Sequence, residues 1–299
     1  MNRLPFPSRV LVAASLVTVL GAPCLTSPLS AQQGGDRTPR GDSLRQAQQF
    51  DIAGNYAASR AIFQKLIDNA PDPASKAAAQ RRMAMSHGFE GHCSEAVRYE
   101  EMVIDYWKTR EKEEPQNAFY QEGEMANEAA RLCIDAGDIA TAERMYKRGS
   151  ELGLKEPEPK THPKTLWDYR LAHAMARLAA RKGDKAEAQR QVAIARKMLD
   201  ADPTMAANQE RFFPYLTGYV ALYTNDLKTA EADLTRAIAM QGNSTDPFMH
   251  ALLGMTHEKM GHASVAKEWY QKAYDLSTQH TPPSAFTRGF ARKKIGATS

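Results

Sequence analysis

Residues 252 to 276 read LLGMTHEKMGHASVAKEWYQKAYDL, and the fold turns on how HEKMGH, at 257 to 262, is understood. A metallopeptidase helix needs two histidines four residues apart with a glutamate between them. Here His257, Glu258 and His262 give a spacing of five. On an α-helix five residues rotate a side chain about 140° away, so the two rings leave the shared face. Gly261 offers the alternative, a helix end in the left-handed conformation that glycine adopts freely, with His262 opening the next helix. His250 and His257 share a face but have no neighbouring carboxylate or thiol that would complete a metal site.

The same turn recurs. AGNY at 53 to 56, EGHC at 90 to 93, AGDI at 136 to 139, KGDK at 182 to 185, TNDL at 224 to 227 and MGHA at 260 to 263 place Gly54, Gly91, Gly137, Gly183, Asn225 and Gly261 in one slot. Seven residues earlier stands a small side chain, Ala47, Ala84, Ala130, Ala176, Gly218 or Gly254, where two helices can approach closely. Five residues after the turn come Ser59, Ala96, Ala142, Ala188, Ala230 and Ala266, and four further on Phe63, Tyr146, Val192, Leu234 and Tyr270. Glu100 breaks that last series, with Tyr99 beside it. The flanking windows are rich in strong helix formers, and no segment alternates β-branched residues with period two.

This pattern resembles the tetratricopeptide repeat, which has Leu-Gly in the first helix of each hairpin and Ala, three residues, then an aromatic in the second. Leu253, Gly254, Ala266 and Tyr270 match it directly; Gly54, Tyr56, Phe63 and Pro71 match next best. The resemblance implies an all-α, right-handed solenoid of about six helical hairpins over residues 43–299, with PPSAFTRGFARKKI as a C-terminal capping helix over the apolar end of the stack. The slots lie 37, 46, 46, 42 and 36 residues apart. A standard repeat has 34, so the middle units need longer helices or loops. WKTREKEEPQ at 107 to 116, LKEPEPKTHPK at 154 to 164 and DADPTMAAN at 200 to 208 read as linkers, and Pro214 should kink a first helix or set its start.

Ahead of the repeats, Arg3 and Arg9 precede the apolar run Val10 to Leu20 and the small residues ending at Ala31, the layout of a secretory signal peptide over residues 1–31. That run is short of the roughly 20 residues a membrane-spanning helix needs. An uncleaved anchor is the alternative, Leu29 being a poor residue two positions before the cut. Residues 32–42, QQGGDRTPRGD, read as disordered. Cleavage would leave 268 residues with 37 basic against 35 acidic side chains, mixed along the chain, which argues against nucleic acid as a partner. The expected protein is exported, periplasmic or extracellular, with no transmembrane segment once the signal is removed. Cys93 and Cys133 would be its two thiols, either bridged or packed as small apolar side chains.

Nothing in the sequence calls for catalysis, a cofactor or a metal: it has no CxxC, GxSxG, phosphate loop or GxGxxG. Cys93 beside His92 fills the apolar slot after a turn, and the NST triplet at Asn243 is a common one. Repeat arrays of the resembled kind bind partners on the face lined by their first helices. The shared register aims Arg81, Met85, Asn127, Arg131, His173, Arg177, Tyr215, Tyr219 and Met255 into that groove, with Tyr223 and Phe212 extending its aromatic part. Such a groove suits an extended protein or peptide partner with carboxylates and an apolar anchor. It is similar only in kind to the carboxylate clamp of chaperone-binding members, since Met85 and Arg131 depart from that Lys and Asn arrangement. The expected function is a non-catalytic scaffold in cell-envelope assembly. The alternative is an accessory carbohydrate- or small-molecule-binding domain of a secreted hydrolase system, using the Tyr-rich end for stacking. The arginines could instead be tied up with acids such as Glu124 and Asp135.

Overall fold

The structure, a computed structural model, describes residues 38–297; the expected signal peptide and residues 32–37 lie outside them. Among the described residues the chain is all-α, with no strand. Six hairpins run in order: α1 (Pro39–Ala53) with α2 (Tyr56–Asp68), α3 (Pro73–Glu90) with α4 (Cys93–Lys108), α5 (Pro115–Ala136) with α6 (Ile139–Gly153), and α7 (Lys164–Arg181) with α8 (Lys185–Ala201). The fifth has a divided first arm, α9 (Pro203–Gln209), a 3₁₀ turn (Glu210–Phe212) and α10 (Phe213–Tyr223), followed by α11 (Leu227–Ala239). The sixth pairs α12 (Pro247–Lys259) with α13 (Ala263–Leu276), and α14 (Pro282–Ile295) closes the chain.

Each expected slot is where a first helix ends. Gly54, Gly91, Gly137, Gly183 and Gly261 have φ of 79° to 92°, and Asn225 has φ 63°. The small residues ahead of them are buried, and in the later units they are obligatory. A Cβ added to Gly254 would meet the Tyr270 ring at 2.6 Å, and one added to Gly218 would meet Leu234 at 2.8 Å. Glu100, which breaks the apolar series, is nonetheless fully buried in that slot. Six first turns are fixed by aspartate: Asp72, Asp138, Asp184, Asp202, Asp226 and Asp246 accept backbone N–H groups two or three residues on. Such caps are worth about 1 kcal/mol each.

Four expectations need correction. Residues 39–42 are not disordered but open α1, capped by Thr38, because Pro39 suits a first helical position whose N–H would be unpaired anyway. Part of the expected linker at 200 to 208 is α9, started by the Asp202 cap and Pro203. Pro214 sets the start of α10 rather than kinking a continuous helix. The fourth concerns α14, which covers the last hairpin as expected but is not confined to it. It packs on α13 and α12 and also on α3 and α5, so it lies across the face that the first helices share.

That position ties the two ends of the array together. Arg288 donates to the carbonyls of Ile52 (3.0 Å) and Tyr274 (3.0 Å), and Arg292 reaches the carbonyl of Ala53. His280, just ahead of α14, is buried against Asp51 and stacks on Phe89, with ring centroids 5.3 Å apart. Ala285 joins Met85, Phe89, Ala96 and Leu132 in one apolar cluster. Cys93 and Cys133 form a disulfide that joins the starts of α4 and the last turn of α5.

Candidate functional site

Where α14 stops, the shared face continues over α5, α7 and α10, and there it is hollow. A cavity of about 270 Å³ is lined by Glu124, Asn127 and Arg131 from α5, Tyr146 from α6, Tyr169, Arg170, His173 and Arg177 from α7, and Gln209, Phe212 and Tyr215 from the divided fifth arm. The spacing explains the convergence. Glu124, Asn127 and Arg131 recur at intervals of three and four residues, as do Arg170, His173 and Arg177, so each trio forms one stripe of its helix.

The cations at this cavity are in different states. Arg170 pairs with Glu124 at the rim and lies over the Tyr120 ring, 5.5 Å from its centre. Arg131 donates from Nε to Asp135 (3.0 Å) and covers the Phe248 ring at 4.2 Å. Arg177 has no carboxylate partner among the described residues. It reaches the Tyr146 hydroxyl (3.1 Å) and the carbonyl of His173 (3.4 Å), both neutral, while being 94% buried. Two further groups are buried there without partners, the Tyr215 hydroxyl and Nε2 of His173. Burial first, and then the Arg177 charge, hold the His173 imidazole well below its ordinary value, so it is neutral at pH 7.

The structure thus brings Asn127, Arg131, His173, Arg177 and Tyr215 together, with Phe212. The other expected groove residues lie elsewhere. Arg81 is held by Glu128 (2.6 Å), and Met85 is sealed beneath Ala285 of α14. Tyr219 is 1% exposed within the α10–α12 core, donor-linked to Arg181, and Tyr223 packs on it with ring centroids 4.6 Å apart. Met255 packs against the same core. Tyrosines buried in this way do not present a ring face for a sugar. Glu124 and Arg170 were missed as lining residues, although each lies one turn before a register position. The signal missed at Tyr146 was its hydroxyl, which leaves the packing slot and ends in the cavity.

The opening motif is a hairpin turn. Gly261 ends the first helix at φ 81°, and His262 caps α13. The two rings approach to 3.4 Å between Nδ1 atoms, and no cluster of three metal-binding side chains occurs among the described residues. No described helix is long and apolar enough to cross a membrane.

A succession of antiparallel helical hairpins with a shared, partly hollow face defines a helical-repeat scaffold. The tetratricopeptide repeat family model matches residues 249–280, which are α12, α13 and the turn between them. The chain therefore carries a match to one tetratricopeptide repeat within an array of helical hairpins. No curated protein matches the sequence.

Proposed function

We propose that this protein is a non-catalytic interaction scaffold, exported to the cell envelope and serving in assembly there, which holds an acidic segment of a protein partner on the α5–α7–α10 part of its shared face. The observation that carries this reading is the division of that face. α14 covers the part built from α3, α5 and α12, whereas Arg131, Arg170 and Arg177 surround a cavity that α14 does not line. Arginine forks and rigid aromatic rings are the side chains that recur as anchors at protein interfaces.

The test is capture from an envelope extract by the mature chain beside an Arg170→Ala, Phe212→Ala variant, both residues lying half-buried at the rim. A partner held by the wild type and lost by a still-helical variant supports the reading. Equal retention by both moves the interface off this face.

A further inference from the structure

Arg177 cannot be explained as a structural ion pair. A guanidinium removed from water is costly unless a charge or a full set of acceptors compensates it. Its partners are one hydroxyl, one carbonyl of its own helix and the Tyr146 ring, 5.3 Å from the guanidinium carbon, none of them charged, while the carboxylates nearest the cavity are engaged by Arg170 and Arg131. Three guanidiniums against Glu124 and Asp135, with His173 neutral, leave one positive charge inside the hollow. The Tyr215 hydroxyl lies within electrostatic reach of both Arg131 and Arg177 and is buried with no acceptor. His173 stacks on Tyr215, centroids 5.6 Å apart and planes 30° from parallel, so the two rings lie side by side in the cavity lining.

We infer that the cavity between α5, α7 and α10 is a binding site for a single oxyanion group, seated on the Arg177 guanidinium with the Tyr215 hydroxyl as a second donor. His173 supplies a third in the tautomer that carries its proton on Nε2. Asn127 and the rings of Tyr169 and Phe212 line the space around it, so the group is attached to a small or aromatic body rather than fully hydrated. A carboxylate, borne either by a free small acid or by the partner's peptide, and an inorganic sulfate share this chemistry. The inference deepens the scaffold reading and shares its surface, but it concerns purified protein and simple anions, so it can fail while partner capture succeeds, and the reverse.

The experiment is calorimetric titration of the mature chain at constant ionic strength with sodium sulfate, with sodium benzoate, and with an aspartate-ending peptide in free-acid and amidated forms. The wild type should bind at least one of these saturably, Tyr215→Phe several-fold more weakly, and Arg177→Gln at least tenfold more weakly. Tyr215→Phe keeps the ring and its packing, so it reads the site even where Arg177→Gln fails to fold. Binding of sulfate and benzoate identifies a free oxyanion as the source, and binding of the free-acid peptide alone identifies the partner's carboxylate. No saturable binding of any probe, or equal binding by the wild type and folded variants, overturns the inference.

Discussion

Nε2 of His280 and Oδ2 of Asp51 lie 2.7 Å apart, both side chains almost wholly buried, although 229 residues separate them. The other Asp51 oxygen accepts from Ser86 (2.8 Å), so one carboxylate joins α1, α3 and the approach to α14. Burial holds the His280 imidazole below its ordinary value, so a neutral ring donates here, and removing it takes one donor from a buried carboxylate, at a cost of about 1–3 kcal/mol or more. His280→Ala should lower the urea midpoint accordingly, with added loss from the Phe63 and Phe89 ring contacts. A double-mutant cycle with Asp51→Asn should show strong coupling, and additive losses would refute the linkage.

Ending the chain at Ser277 should expose Met85, Phe89 and Leu132, which α14 now covers. The truncated protein is expected to keep most of its helical circular dichroism, bind a hydrophobic dye and melt earlier. Unchanged dye binding would mean the face is covered some other way.

Gly254 presses its backbone on Tyr270, and a methyl group there has no room. Overpacking of this kind costs about 1–3 kcal/mol. Gly254→Ala should therefore lower the melting temperature by several degrees, and Gly254→Ala with Tyr270→Leu should recover part of the loss.

The Cys93–Cys133 bridge closes a loop across 40 residues. Constraining an unfolded loop of that length is worth about 4 kcal/mol in the chain-entropy account. Reduction under non-denaturing conditions should lower stability by a comparable amount, measured as the shift in midpoint with and without reductant.

Two carboxyls make stability depend on pH in an unusual direction. Burial, and then the charge of Glu128, raise Glu100 well above its ordinary 4.5. Burial, with Glu111 next, pushes Glu122 up to about 7. The unfolded chain releases both protons above about 4.5 while the folded chain keeps them. Folding therefore loses free energy as pH rises through that window, to about 7 for Glu122. Glu100→Gln and Glu122→Gln should each match the wild type near pH 4 and exceed it at pH 8, as read by melting temperature. A wild-type advantage at pH 8 would reverse the sign.

The hairpins were legible because their determinants are local. A left-handed glycine at Gly137, an alanine at Ala130 and another at Ala142 fall within one hairpin, and each is required by two helices touching. The site was legible in part for the same reason: the register that placed Asn127 and His173 extends one turn to Glu124 and Arg170. The position of α14 was not, because it depends on how far the array curls, which the unequal unit lengths set jointly. That curl brings Arg131 over Phe248, three hairpins away, and removes Tyr219 and Met85 from any partner's reach.

In an open array each hairpin leans only on its neighbours, so the chain can mature as it is made. Here the first hairpin waits for the last helix. During synthesis Asp51 and Phe89 emerge early and stay without their partners until residue 280 and α14 have left the ribosome. Until then the chain carries an unfinished apolar seam, the period in which chaperone attendance matters most. It becomes complete only as a whole.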